Sequence, residues 1–314
     1  MRALTLMLLS LAAGVAHADD YPSKPIRLLT AGAGGGSDLT ARVIADGLST
    51  RMKESVIVDS RIGGPVIADI GAKAAPDGYT VIVYSAALWL LPLMQEKPSY
   101  DVFKAFAPIT LIGGSPMVLV VNTSVPAKSV HELVALARSK PRGLNYASGP
   151  VGATPHIAGE LFKMLAGVNI VHVPYRSVGA GLTDVMGGRV QMMFPVAGTA
   201  MPLIKAGKLR GLGVGSLQPS PLAPGLAPIS ESGLPGFESV ATFAMFAPAK
   251  TPAAIVKRLN DEAVKTATSP EVKERLLSAG IEVIASSPEG LVKQIRRDFD
   301  VQGKVIRSAK IRLD

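Results

Sequence analysis

Short runs rich in β-branched residues alternate with amphipathic helical patterns along most of the chain, and this alternation constrains the fold more than any other feature. Residues 26–30 form the first such run, and a glycine-rich turn follows it. One side of the next helical pattern carries Leu39, Val43, Leu48 and Met52. Strands that alternate with helices in this way are typical of sheets covered by helices. We therefore predict an α/β fold.

The same criteria predict the other elements. Further strands are expected at residues 56–58, 80–84, 117–121, 144–147, 171–173, 190–194, 209–214 and 243–247. Residues 216–236 are rich in Pro, Gly and Ser, which indicates a long surface connection. A hydroxyl followed by proline predicts helix starts at Thr251-Pro252, Ser269-Pro270 and Ser287-Pro288. Ser129 and Glu132 have the spacing of a capping box.

Two apolar segments that run into proline-bearing loops suggest how the chain is divided into domains. Residues 118–122 and 243–248 both have this pattern, and both are followed by a helical pattern. We interpret them as paired strands between two lobes. Residues 19–118 and 243–314 would then form domain 1, with residues 119–242 inserted as domain 2. A chain of 314 residues is long enough for two cores of ordinary size.

The first 18 residues have the pattern of a cleaved secretory signal peptide. Arg2 supplies the positive start, residues 3–15 an apolar run, and Ala16-His17-Ala18 the small-x-small cleavage signal. This run is shorter than the roughly 20 residues that span a bilayer. No cysteine is available for a lipoprotein anchor. We therefore expect an exported, monomeric protein of the periplasm.

The composition argues against several classes of function. The net charge is +9, but only 5% of residues are aromatic and there is no arginine-rich tract, so nucleic acid is not an expected partner. The absence of cysteine excludes disulfide scaffolds, thiolate metal sites and cysteine nucleophiles. No serine lies in a G-x-S-x-G elbow, and the histidines lack the spacing of a zinc pair. We expect no enzymatic activity, no metal and no cofactor.

Two glycine-bearing turns, each directly before a helical pattern, are the strongest candidates for a binding site. Residues 32–38 read Gly-Ala-Gly-Gly-Gly-Ser-Asp, and residues 148–156 follow another predicted strand in the same way. Glycine allows the backbone to come close to a ligand, and a helix N-terminus offers N–H groups and a favourable dipole. One turn from each lobe could hold an anion between them. Each could equally be a tight turn with no ligand.

Single side chains give weaker signals. His156 lies in the first turn of a predicted helix, where we expect a structural hydrogen bond rather than a ligand contact. Arg176 either binds a carboxylate or belongs to a surface turn, and Asp184 is expected to be solvated or to pair locally. Trp89 and Phe103 are expected in the core rather than in a pocket.

Several motifs, taken in order and spacing, resemble one known family. They are Tyr21-Pro-Ser-Lys-Pro-Ile26, Asp38-Leu-Thr-Ala-Arg42, Lys73-Ala-Ala-Pro-Asp-Gly-Tyr79, Leu144-Asn-Tyr-Ala-Ser148, His156-Ile-Ala-Gly-Glu-Leu-Phe162 and Val171-His-Val-Pro-Tyr175. With them the chain resembles the Bug-type extracytoplasmic solute-binding proteins, the receptors of tripartite tricarboxylate transporters. The resemblance covers nearly all of the chain after the signal peptide.

The resemblance implies a type II periplasmic-binding-protein fold, with two α/β lobes joined by two hinge strands that close over a small mono- or dicarboxylate. It implies the membrane subunits of a tripartite tricarboxylate transporter as partners. A sensor that docks on a membrane signalling protein is the alternative. In the family, one carboxylate is held mainly by backbone N–H groups and waters from two loops. These two loops correspond here to Gly34, Gly35, Gly36, Ser37 and Asp38, and to Ser148, Gly149, Gly152, Ala153 and Thr154. A third family loop corresponds to Ser85 and Ala86, and the segment through Ala197 and Thr199 is also expected to line the cleft.

Three positions depart from the family pattern. Gly36 lacks a common hydroxyl, Ala153 stands where Ser or Thr is frequent, and Pro195 stands where Asp is common. Capture of one carboxylate should survive these changes, because it depends on backbone N–H groups. Recognition of the other end of the ligand should change. Pro195 also removes a counter-charge for an ammonium group, which argues against amino acids as ligands.

Overall fold

The computed structural model describes residues 21–32, 36–61 and 64–313. The signal peptide assigned to residues 1–18 lies outside them, as do Gly34 and Gly35. The strands in chain order are β1 (Ile26–Ala31), β2 (Val56–Arg61), β3 (Thr80–Ser85), β4 (Phe106–Pro116), β5 (Val118–Asn122), β6 (Asn145–Ser148), β7 (Val171–Pro174), β8 (Met192–Met193), β9 (Leu209–Val214), β10 (Val240–Pro248) and β11 (Glu282–Val283).

The helices cover the faces of these strands. In chain order they are α1 (Gly36–Met52), α2 (Gly64–Lys73), α3 (Ala87–Leu90), α4 (Val102–Ala105), α5 (Val130–Ser139), α6 (Thr154–Ala166), α7 (Val178–Met186), α8 (Ala197–Lys205), α9 (Ala253–Thr268), α10 (Pro270–Ser278) and α11 (Pro288–Ser308). Short 3-10 turns lie at Leu91–Met94 and Ile229–Glu231. In the part of the chain that the structure describes, no helix combines the length and apolar character needed to cross a membrane.

The strands form two separate sheets. The first has the order β11-β4-β10-β3-β1-β2, and the second has the order β7-β6-β8-β5-β9. In the first sheet β1, β2 and β3 are parallel, while β10 is antiparallel to both β3 and β4. In the second sheet β6, β7 and β8 are parallel, while β5 is antiparallel to β8 and β9. The predicted α/β fold with two sheet-based lobes is confirmed.

Local capping signals were predicted with mixed success. Ser129 Oγ accepts a bond from the Glu132 N–H, although the Glu132 carboxylate accepts from the Lys128 N–H rather than from Ser129. Ser287 caps α11 through the Gly290 N–H, as predicted. The other two hydroxyls do not cap. Ser269 Oγ donates to the Thr266 carbonyl, and the Thr251 hydroxyl, one residue too early for α9, donates to the Pro248 carbonyl.

Three strand or loop predictions need correction. The long strand β4 was not predicted at all, although it lies second in the first sheet. Strand β8 covers only Met192–Met193 rather than residues 190–194. The segment 216–236 is not purely a surface connection, because Ile229 and Leu234 are buried in the core beside α5.

The chain passes between the sheets at two adjacent places. Only Met117 separates β4 from β5, and the segment after β9 returns to β10. The Met117 N–H donates to the Ser239 carbonyl, the Ser239 N–H to the Gly215 carbonyl, and the Gly215 N–H back to the Met117 carbonyl. A Cβ at Gly215 would lie 2.5 Å from the Ser239 oxygen, so only glycine fits at this crossing. The domain boundaries at residues 118/119 and 242/243 stay a prediction.

Candidate functional site

Each of the four predicted ligand-binding segments follows a strand. These strands end at the sheet edges that lie next to the place where the chain passes from one sheet to the other. In the first sheet, β1 and β3 end there, at the same edge as Pro116 of β4. In the second sheet, β6 and β8 end beside the start of β5, where the Val118 N–H donates to the Pro195 carbonyl. Because one residue joins β4 to β5, the two edges lie side by side. In open α/β sheets, ligands bind outside the carboxyl ends of the strands.

The first segment opens α1. Ser37 and Asp38 lie in the first turn and are buried. The Asp38 carboxylate accepts from Arg42 Nε at 3.0 Å and from Ser60 Oγ at 2.7 Å, which ties α1 to β2 and raises the pKa of Arg42. The Asp38 side chain therefore positions the helix start.

Gly36 begins α1 and has a steric reason to be glycine. An ideal Cβ at this position would lie 2.5 Å from Cζ of Phe243, whose ring is 7% exposed. Phe243 belongs to β10 and pairs with Ser85 at the end of β3. The hydroxyl that is common in the family at this position is thus replaced here by room for an aromatic ring.

The second segment is the end of β3. The Ala86 N–H donates to the Thr242 carbonyl at 3.1 Å, which uses that amide within the sheet. Ser85 Oγ accepts from the Ala87 N–H at 3.4 Å. Ser85 is half-buried, so its hydroxyl proton remains able to donate to a ligand.

The third segment connects β6 to α6. Ser148 is fully buried, and its hydroxyl donates to the Gly149 carbonyl and lies 2.7 Å from His172 Nε2. The Gly152 N–H donates to His156 Nδ1 and the Ala153 N–H to the Pro150 carbonyl, so both amides are used inside the loop. Helix α6 has Ala153 as its N-cap and no side-chain cap. No described residue accepts from the amides of Gly149, Val151 and Thr154.

Behind this loop lies a stack of three rings. His156 stacks on His172 with ring centroids 4.0 Å apart, and His172 stacks on Tyr146 at 4.8 Å. Burial lowers the pKa of His156. Burial and repulsion from a charged His156 lower the pKa of His172 to about 4. This is the structural hydrogen-bonding role that we expect for His156.

The fourth segment opens α8. Ala197 is fully buried, and Thr199 is exposed. Helix α8 has Val196 as its N-cap without a side-chain cap, and the Thr199 N–H donates to the Val196 carbonyl. Met117 and Val196 form an isolated antiparallel bridge, which turns the Ala197 N–H towards the end of β4. Among the residues that the structure describes, no acceptor is found for the amide of Gly198, so this N–H group is available in the first turn of α8.

The remaining candidates have structural positions. Arg176 is exposed, and Asp184 pairs with Arg189 at 3.0 Å. Trp89 is fully buried, and its indole N–H donates to Asp298 at 2.8 Å. The expectation for Phe103 is wrong, because its ring is 39% exposed beside Arg296 rather than in the core.

Sequence reasoning missed two groups that adjoin the predicted segments. Phe243 touches the start of α1, as described above. Met94 and Leu313 meet the third segment, because a Cβ at Gly152 would lie 2.7 Å from Met94 Sδ and 3.3 Å from Leu313 Cδ2. Both contacts join parts of the chain that are far apart in sequence, and no local pattern signals them.

The chemistry of these segments suits the binding of an anion. Uncapped helix starts provide N–H groups and a positive dipole end, which together favour a carboxylate or phosphate. The Ser148–His172 contact does not make a nucleophile, since the hydroxyl is fully buried and already donates to a carbonyl. No group of three metal-ligating side chains is found among the described residues.

The comparison with known families decides the identification. The profile described as "Tripartite tricarboxylate transporter family receptor" matches residues 40–311. The chain belongs to this family of receptors. The resemblance to Bug-type solute-binding proteins is thereby confirmed.

Solved structures of similar proteins agree. Rpa4515 of R. palustris, solved with adipate, is 32% identical, with a TM-score of 0.79 over 93% of this chain and 99% of Rpa4515. The periplasmic binding protein BugD is 27% identical, with a TM-score of 0.75 over 93% and 99% of the two chains. MatC of Rhodopseudomonas palustris, with bound malate, is 26% identical, with a TM-score of 0.75 over 91% and 100%.

Proposed function

We propose that this receptor captures a small mono- or dicarboxylate between its two sheets and delivers it to a tripartite tricarboxylate transporter. The observation that carries the proposal is the pair of uncapped helix starts, α6 and α8, which hold N–H groups without acceptors at adjacent sheet edges. The dicarboxylates adipate and malate in two similar proteins support this class of ligand.

The energy required is modest. Micromolar affinity corresponds to about −8 kcal/mol. Hydrogen bonds to a charged group contribute about 1.5–3 kcal/mol each, and helix dipoles add a further favourable term. A few backbone N–H groups on one carboxylate, together with closure of the lobes, are sufficient. No covalent step is needed, and we propose that the protein is not an enzyme.

The assignment of site residues is part of the proposal. Backbone groups of Gly34 to Ser37, Gly149, Thr154 and the first turn of α8 after Ala197 would hold the carboxylate, while Ser85 and Thr199 would offer hydroxyls. The side chains of Asp38 and Ser148 would support the loops. We also propose cleavage after Ala18, periplasmic residence, a monomer, and the domain boundaries given above.

Thermal unfolding of the mature protein against a panel of carboxylates tests the proposal, after unfolding and refolding to remove retained ligand. A ligand at 100 times its dissociation constant should stabilise the protein by about 2.7 kcal/mol. Adipate and malate are compared with adipamide, which has the same length as adipate but no charge. Stabilisation by a carboxylate and not by adipamide supports the proposal. Equal responses to adipate and adipamide, or no response to any acid, would refute it.

A pair of substitutions at Thr154 tests the site. Thr154 is the first residue of α6, and Ala153 before it has φ −68° and ψ 157°, a conformation that a following proline accepts. Thr154→Pro removes the N–H and should weaken binding by about tenfold to a hundredfold, the loss of one charge-assisted bond. Thr154→Ala keeps the N–H and should bind like the wild type. Equal affinities of the two variants would place the site elsewhere.

The partnership with a transporter has its own test. Uptake of the bound acid is measured in vesicles that contain the membrane subunits of a tripartite tricarboxylate transporter, with and without the receptor. Uptake that requires the receptor supports the partnership. A receptor that binds the acid but gives no uptake would refute the partnership and favour the sensor alternative.

A further inference from the structure

The hydrogen bond between the Gly152 N–H and His156 Nδ1 fixes the state of that imidazole. At 3.0 Å the backbone amide donates, so Nδ1 must be an acceptor and carry no proton. His156 is therefore neutral, with its proton on Nε2. The bond fastens the β6–α6 loop, residues 149–153, to the first turn of α6.

We infer that His156 is a positioning residue for the carboxylate site, and that protonation of its ring releases the loop and weakens ligand binding. This inference rests on the proposed function, because it acts through the loop that offers the amide of Gly149. His156 itself need not touch the ligand.

The surroundings of His156 oppose a positive charge on its ring. His172 lies parallel to it at 4.0 Å, and Tyr146 covers the far side of His172. On the same helix, Glu160 favours protonation and Lys163 opposes it. The Glu160 carboxylate already accepts from Lys163 Nζ at 2.8 Å and from the Tyr146 hydroxyl at 2.6 Å, so it has little capacity left to stabilise an imidazolium.

Protonation would place two donors against each other. An Nδ1–H would point at the Gly152 N–H, and the loop would have to move. Gly152 has φ +80°. It packs against Met94 and Leu313, which come from the parts of the chain assigned to the other lobe, and an ideal Cβ on it would lie 2.7 Å from Met94 Sδ. Movement of the loop therefore also disturbs a contact between the two lobes. Ligand capture and lobe contact would be lost together at acidic pH.

Two variants and a control distinguish the hydrogen-bond acceptor of His156 from the stacking of its ring on His172. His156→Asn places Oδ1 where Nδ1 lies, because both atoms are two bonds from Cβ, and the amide does not titrate. His156→Phe keeps an aromatic ring on His172 but has no acceptor. His131→Asn is the matched control, because His131 is exposed on α5. Circular dichroism and thermal unfolding confirm that each variant is folded.

The first measurement needs no ligand. Nitrogen-15 NMR of the mature protein reports the protonation of Nδ1 and the protection of the Gly152 amide from hydrogen exchange, between pH 7.5 and 4.5. We expect an unprotonated Nδ1 at pH 7.5 and at least tenfold more protection of Gly152 in the wild type than in His156→Phe. Protection should be lost on acidification in the wild type and kept in His156→Asn. A protonated Nδ1 at pH 7.5, or equal protection in all variants, would overturn the inference.

The second measurement is calorimetric titration with adipate over the same pH range. The ratio of wild-type to His156→Asn dissociation constants cancels the protonation of adipate itself. The ratio should be near one at pH 7.5 and rise about tenfold at pH 4.5, while His156→Phe binds weakly throughout. A flat ratio would refute the link to binding. Absence of adipate binding in the wild type at pH 7.5 would count against the proposed function for this acid, and the NMR result would still decide the role of His156.

Discussion

Substitution of Gly36 by serine, the residue type that is common in the family, should destabilise this protein. The added Cβ would lie 2.5 Å from Phe243 Cζ and 3.0 Å from Cε1, whereas ordinary contacts of a Cβ begin near 3.4 Å. The ring has little freedom to withdraw, because Phe243 is 7% exposed and packs in one cluster with Ile44 and Leu259. Relief requires a shift of the ring or of the start of α1 by nearly an ångström.

The size of the effect follows from two opposing terms. Overpacking of a filled core costs about 1–3 kcal/mol. Replacement of a glycine also reduces the entropy of the unfolded chain, which stabilises by about 0.4–1 kcal/mol. We expect a net loss of about 1–2 kcal/mol in the free energy of unfolding, measured by urea titration of the ligand-free protein at 25 °C.

A double-mutant cycle identifies the cause. Phe243→Leu shortens the side chain, so Gly36→Ser should cost at least about 1 kcal/mol less in that background, as expected for residues in contact. Gly179→Ser is the matched control, because Gly179 also lies in the first turn of a helix and an ideal Cβ there meets nothing within 4 Å. The control should be neutral or stabilising. A Gly36→Ser protein as stable as the wild type, or a cycle without coupling, would show that the ring does not exclude a side chain here.

Three further outcomes are expected. Trp89→Phe removes the donor to the buried Asp298 carboxylate and should lower the free energy of unfolding by about 1–3 kcal/mol in urea. Gly215→Ala brings a Cβ to 2.5 Å from the Ser239 carbonyl, which cannot turn away, and should cost about 3 kcal/mol or more or prevent folding, as judged by circular dichroism. Because the pKa of His172 is lowered to about 4, between pH 6.5 and 4 the unfolded chain binds a proton that the folded chain does not. The free energy of unfolding should therefore decrease by about 1–2 kcal/mol as the pH falls from 6.5 to 4, allowing for partial exposure of the ring. His172→Phe should remove this part of the dependence of stability on pH.

Features that depend on neighbours in sequence were predictable. Helix α6 shows this, since its apolar residues recur at helical spacing and Gly167 ends it with φ +62°. The Ser287 cap of α11 and the helix starts after β1 and β6 belong to the same class. Segment 32–38 was found because glycine before a helix is itself the signal.

Strand β4 was missed for a physical reason. Its sequence contains Pro108 and the pair Gly113-Gly114, which usually indicate a turn. In the structure these glycines allow close approach of neighbouring strands. A Cβ at Gly113 would lie 2.4 Å from the Glu282 carbonyl, and one at Gly114 would lie 2.7 Å from Val240 Cγ1. Glycine in a strand has this meaning only when the neighbouring strand is known.

For the candidate site, part of the local structure was predictable from the sequence, and the residues packed against it were not. The helix start at Thr154 was predicted after β6, whereas helix α8, which begins at Ala197, was not predicted. The contacts of Gly36 with Phe243, and of Gly152 with Met94 and Leu313, come from pairings between distant segments. A single sequence contains no local trace of such pairings.

The proposed ligand segments contain no lysine or arginine. Attraction for a carboxylate and selection among different acids therefore depend on different groups. Residues 34–38, 148–154 and 197–199 contain no basic side chain, so attraction for an anion must come from N–H groups and helix dipoles, about half a charge per helix start. That part should accept any carboxylate. Selectivity then depends on what lies beyond it, where Gly36 offers no hydroxyl and Pro195 offers no charge. An apolar wall favours a methylene chain over a hydroxylated one, so we expect tighter binding of adipate than of malate, measured by calorimetry. Tighter binding of malate than of adipate would refute this reasoning.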